Sequence, residues 1–172
     1  MSYLGFEQTH QRDYCEIMVT DIRARAQRLI NGSWEFIPGV TPFDGHCTYG
    51  LFGFLADVRN YSAVTPISQP RGLPEGVDPP SEDYDGPLDE WLGEHDYSWL
   101  LLSELLSVDY NQTMEDRRFS GMIDGMISGS HTVPAGSGVR MTLRAFLGEA
   151  YFEELDRLTH SGVERIVFGF DS

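Results

Sequence analysis

The sequence contains no lysine: all twelve of its basic residues are arginine. It has only two cysteines, Cys15 and Cys47, and no second pair. That excludes the paired-cysteine motifs of zinc and redox sites, and the expected state is two reduced, buried thiols. No apolar run is long enough to suggest a membrane-spanning helix. The stretch MSYLGFEQTHQRDY lacks a basic region followed by an apolar core, so no secretion signal is expected and a cytosolic setting is the default. His46, His95, His131 and His160 are dispersed, without the spacing of paired metal ligands, and neither a metal nor another cofactor is expected. The glycine-containing PAGSGVRMT lacks the Lys-Ser/Thr of a phosphate loop and the full dinucleotide fingerprint, and reads as a turn.

What the chain does have is acid. Its formal net charge is −15, and thirteen acidic residues but no arginine lie between Arg71 and Arg117. A field of that sign disfavours direct DNA binding and anionic membranes. It admits the opposite idea, an acidic surface that imitates nucleic-acid phosphates toward a basic partner. The chain length of 172 residues suggests one domain over residues 1–172, large enough for a core of its own.

Hydrophobic patterning gives a coarse layout. The residues from Tyr14 to Ala24 are rich in strand formers, Asn31-Gly32 supplies a tight turn, and SWEFI is the return strand of a hairpin. A helix over Asp21 to Ile30 is the competitor, because RARAQRL has helix propensity. Asp44 or Thr48 is placed to cap a helix over Tyr49–Val58, with Leu51, Phe54, Leu55 and Val58 on one face and Gly50 and Gly53 allowing close approach. Residues 60–88 carry six of the nine prolines and read as a long loop or lid. Gly121 to Gly138 looks loop-like. MTLRAFLGEAYFEELDRLTHSG is the clearest helix, with Gly162 as its stop, and VERIVFGF closes as a strand. The expected fold is α+β: a small mixed or antiparallel sheet formed by the N-terminal hairpin and C-terminal strand, packed with three or more helices and the proline-rich loop.

The segment GEHDYSWLLLSELL reads as a largely buried helix whose first turn is capped by Asp96 or Ser98, with His95 in the preceding turn. His95, Asp96 and Ser98 are the residue types of a hydrolytic triad, but Ser98 lacks a glycine-flanked elbow. A capped helix start with a hydroxyl and a histidine beside it suits an anion. The scarce arginines add to this. Arg59 ends a helix and Arg71 lies in QPRGLPEG; each pairs with a carboxylate or holds a phosphate through its fork. Tyr61, Tyr97 and Trp99 are candidates for stacking on a base.

YGLFGFLADVRN, PISQPRGLPEGV, HDYSWLLLSELL and VERIVFGFD together resemble a family of uncharacterised tailed-phage accessory proteins. The resembling features are a Tyr-Phe helix ending in Val-Arg, a Pro-Arg-Gly-Leu-Pro loop, a His/Ser turn before a Trp-Leu helix, and a closing strand. The family turn often carries a second histidine where this chain has Tyr97. The resemblance brings no established activity; it implies a phage protein acting in the host bacterial cytoplasm.

Three functions follow as expectations. The first is a counter-defence protein that binds and sequesters, or inactivates, a nucleotide-type host immune signal. Arg59, Asn60, Tyr61, Arg71, Tyr97, Ser98 and Trp99 would form its ligand site, and His95 would act as general acid or base if a bond is cleaved. The second is an acidic interaction protein or DNA mimic that blocks a host defence enzyme through the Glu75–Asp96 run. The third is a small hydrolase using the His95 turn. Whether the chain is an enzyme, and whether it self-associates, is left open by the sequence.

Overall fold

A computed structural model describes residues 20–81, 85–86, 91–123 and 126–171. β1 (Asp21–Ile30) and β2 (Ser33–Phe36) form the hairpin, paired from Ile30↔Ser33 to Gln27↔Phe36. Asn31 and Gly32 between them both have positive φ, 50° and 83°, as a two-residue turn matched to strand twist requires. β1 is a strand despite its helix-forming composition: Ile22, Ala24 and Ala26 are buried while Arg23 and Arg25 between them are half-buried, a period of two. The anticipated strand residues before position 20 lie outside the described residues.

β8 (Arg165–Asp171) pairs antiparallel with β1 along its length, and β3 (His95–Leu101) pairs antiparallel with the other edge of β8. The sheet order is β2-β1-β8-β3. The expected α+β fold, with the C-terminal strand joined to the hairpin, is what the chain adopts.

β3 corrects the reading of GEHDYSWLLLSELL as a capped helix. His95–Leu101 is a strand, and only α2 (Leu102–Leu106) is helical. In that strand Ser98 and Leu100 turn to one side and Trp99 and Leu101 to the other, and pairing with β8 outweighs the helical spacing of the leucines. Glu104 begins α2 by accepting the Leu101 amide at 2.8 Å. Ser98 is therefore no helix cap.

α1 (Tyr49–Ala56) is shorter at its end than Tyr49–Val58, because Asp57 turns left-handed at φ 61°. Thr48 is its cap, with Oγ1 accepting the Leu51 amide. The C-terminal helix is broken at Gly148 (φ 79°) into α3 (Leu143–Leu147) and α4 (Glu149–His160). Gly121–Gly138 is not a loop. β5 (Arg118–Ile123) and β6 (Met126–Thr132) form one two-stranded ribbon, and β4 (Thr113–Asp116) and β7 (Val139–Thr142) another. Glycines there mark irregular pairing, with a register shift at Ser120/Gly121, rather than an absence of strands.

One face of the main sheet meets the helices. Ile22, Ala24, Ala26, Leu100, Ile166, Phe168 and Phe170 pack with Phe52, Phe54 and Leu55 of α1 and Tyr151, Leu155 and Leu158 of α4. The aromatic contact Phe52–Phe170, at 5.1 Å between centroids, ties α1 to β8. Behind α4, the buried Glu154 carboxylate accepts the Phe43 amide at 2.7 Å and two guanidinium hydrogens of Arg157. Cys47 is buried and disulfide-bonded, which corrects the expected free thiol; Cys15 lies outside the described residues.

The proline-rich segment works as a strap. It leaves the core face, where the Ile67 amide donates to Phe54 O, and passes the free edge of β3, where the Gly72 amide donates to Tyr97 O at 2.8 Å. It then reaches the opposite face of the sheet, where Gly76–Asp78 and Pro80 line a small cavity with Arg25, Phe36 and Leu92. An open strand edge is thereby partly covered.

Candidate functional site

The residues expected to form one pocket fall into two groups. Arg59, Asn60 and Tyr61 follow α1. Arg59 is left-handed (φ 45°), with its guanidinium 5.6 Å from the Tyr49 centroid, and Tyr49 meets Tyr61 at 5.8 Å. The Asn60 side chain is fully engaged in its own turn. It donates to Asp57 and to Val64 O, and accepts from Ser62 Oγ and the Val64 amide. Gly53 makes room for it, since a Cβ there would fall 2.6 Å from Asn60 Oδ1.

Arg71, Tyr97, Ser98 and Trp99 gather instead at β3. The Arg71 amide donates to Ser98 Oγ at 3.1 Å, its Nη1 donates to Trp99 O, and both Nη atoms grip the Glu104 carboxylate at 2.9 and 2.7 Å. Its guanidinium carbon lies 4.9 Å from the Trp99 centroid. Hydrogen bonding to Arg71 holds Glu104 below the usual carboxylate range. Tyr97 donates from its hydroxyl to Gly93 O, and burial together with Asp171 and Glu94 pushes its pKa up. Because α1 lies on the core face of the sheet and Trp99 projects from the other, the structure does not unite Arg59 with Arg71.

His95 and Asp96 meet at a bulge. Asp96 has φ 51°, and its Oδ2 lies 2.8 Å from His95 Nδ1. Ser98 is fully buried, with its Oγ on the Arg71 amide. These three residues share no nucleophile–base contact, so they do not have a triad's geometry.

The face carrying Trp99 holds a further set that sequence reasoning missed. The register places Arg25 beside Val167, and Gln27 beside Arg165 and Phe36. Arg25 stacks on Phe36 at 3.4 Å, and Arg165 lies over Trp34 at 4.1 Å and over Trp99 at 5.7 Å. Trp99 thus carries two guanidinia, those of Arg71 and Arg165. Arg165 is 6% exposed, and burial pushes its pKa down. The signal was a lone arginine inside the apolar strand VERIVFGF; recognising it required knowing which tryptophans the sheet would bring beside it. At the far end of this face Arg23 pairs with Asp171, and Gly169 lets the Leu92 carbonyl and the Tyr97 ring press onto the strand.

A separate cavity of about 560 Å³, with Phe54, Val64, Ile67, Met114, Arg117 and Leu143 among its lining, takes none of the residues expected from sequence. Among the described residues no group of three or more His, Cys, Asp or Glu could hold a metal ion, and no helix is long and apolar enough to cross a membrane. The acidic Glu75–Asp96 run lies partly outside the described residues. Comparison of the chain with protein families, curated proteins and solved structures finds no match to any of them.

Proposed function

We propose that the protein is a phage accessory counter-defence protein, acting in the host bacterial cytoplasm, that binds and sequesters a nucleotide-type immune signal. The observation that carries this reading is Trp99 with Arg71 and Arg165 against it, in a chain of net charge −15. Guanidinium groups and indole faces recognise a phosphorylated planar ring: a guanidinium without a carboxylate partner takes the phosphate, and the rings stack on the base. The phage setting comes from the resemblance of the loop and β3 motifs. Sequestration is favoured over cleavage because Ser98 is buried on a backbone amide and His95 has no nucleophile beside it.

The test is calorimetric titration with a panel of cyclic di- and trinucleotides and ADP-ribose derivatives, followed by chromatography of the recovered ligand. Tight binding with the ligand returned intact supports sequestration. A chemically altered ligand makes the protein an enzyme and returns attention to His95. No binding across the panel overturns the reading.

A further inference from the structure

Among the described residues five arginines have a carboxylate partner: Arg23 with Asp171, Arg71 with Glu104, Arg118 with Asp116, Arg144 with Glu149 and Arg157 with Glu154. Arg165 is more deeply buried than any of these and has none within 4.0 Å among the described residues. Its Nε donates to Gln27 Oε1 at 2.7 Å, while its Nη2 is buried without a hydrogen-bond partner. The only other such side-chain atoms among the described residues are the hydroxyls of Thr20 and Ser68, which carry no charge. A buried cation left unpaired is among the most expensive arrangements a fold can hold. A chain with 27 acidic residues has ample means to avoid it.

We propose that Arg165 is an anion-recognition residue, receiving the phosphate group of a small ligand whose flat ring packs against Trp34 and Trp99. This rests on the binding reading above and names the group that takes the charge. Gln27 fixes one edge of the guanidinium, so the fork is oriented before the ligand arrives. Both indoles are half-buried and lie against the guanidinium. Arg71, also against Trp99, is already gripped by Glu104 and leaves Arg165 to take the anion.

A purely structural Arg165, bracketing β1 to β8 through Gln27, gives the opposite stability result. The experiment therefore measures thermal melting and tryptophan fluorescence of the full chain, of Arg165→Met and of Arg165→Lys, with inorganic phosphate and with adenosine 5′-monophosphate. The expected result is wild-type stabilisation by either probe, with a change in tryptophan emission. Arg165→Met should melt no lower than wild type without probe and lose affinity roughly ten- to a hundredfold, the effect of removing a charge-assisted hydrogen bond. Arg165→Lys keeps the charge but loses the fork and should bind about tenfold more weakly; it decides the matter if the methionine variant fails to fold. Undiminished binding by the variants, or a wild type that answers neither probe, overturns the proposal. If a cyclic nucleotide binds wild type and Arg165→Met alike, the sequestration reading stands and this inference fails. If phosphate binding depends on Arg165 but no signal nucleotide is retained, the inference stands and the sequestration reading fails.

Discussion

The two faces of the β2-β1-β8-β3 sheet are built from the same strands in the same register, yet they solve burial in different ways. On the core face the rows are Ile22–Phe170, Ala24–Phe168 and Ala26–Ile166, all sealed by helices. On the other face the rows are Arg23–Gly169, Arg25–Val167 and Gln27–Arg165, covered by rings, the strap and the Leu92 backbone. The first face is stabilised by area removed from water, without regard to direction. The second also buries Val167 and Gln27, but adds guanidinium groups whose planar fork makes its contacts directional. That contrast is why the candidate site is assigned to the second face.

The contrast can be broken most severely on the core side. Phe168→Ala removes a fully buried ring and should cost about 3–5 kcal/mol in urea denaturation. A loss under about 1 kcal/mol would show that this face is not the stabilising one. On the opposite face, Gly169→Ala places a methyl against the Leu92 carbonyl and 2.7 Å from the Tyr97 ring. The strand has to shift, at about 1–3 kcal/mol by the same assay.

A third comparison uses pH. His46 lies behind the core, where burial lowers its pKa, partly opposed by Glu154. Its unfolded form takes up a proton first, so this group's contribution is complete above about pH 6.5 and falls as the pH drops toward the lowered folded value. Denaturation midpoints of His46→Gln measured from pH 8 to about 5 should lose that part of the slope; an unchanged slope removes His46 as its source. The smallest effect is expected at the Arg71–Glu104 pair, whose side chains are 26% and 32% exposed. Glu104→Gln should cost about 1 kcal/mol or less once solvent screening is counted. Because the Glu104 pKa is lowered, that contribution is present above the ordinary carboxylate range and disappears as pH falls through the lowered value. A larger loss, or one insensitive to salt, would mean the pair is shielded more than its exposure implies.

The legible parts of the fold were those set by local chemistry. Asn31-Gly32 demands a tight turn, Thr48 caps α1, and Gly162 ends α4 with a φ of 71°. What was not legible depended on partners far along the chain. WLLLSELL carries helical spacing, and only pairing with β8 makes its first half a strand. The same pairing turns Trp99 away from the core and toward Arg165, so the candidate site was half visible. Arg71, Ser98 and Trp99 were picked out from their neighbourhood, whereas Arg165 meets Trp34, and Arg25 meets Phe36, only through sheet register. Arg59 was grouped with Arg71 because both are scarce cations near a loop, and sequence proximity cannot say which side of a sheet each will reach.

Among the described residues β8 is the last of eight strands, and it sits between β1 and β3. The hairpin and β3 never pair with each other; residues 165–171 between them join both into one sheet. The sheet therefore forms by insertion, across sequence separations as large as Asp21 to Asp171. Contacts of that range close slowly, because loop entropy is lost before the pairing compensates for it. Arg165 lies on the strand that completes the sheet, so its place beside Trp34 and Trp99 exists only once both edges of that strand are paired.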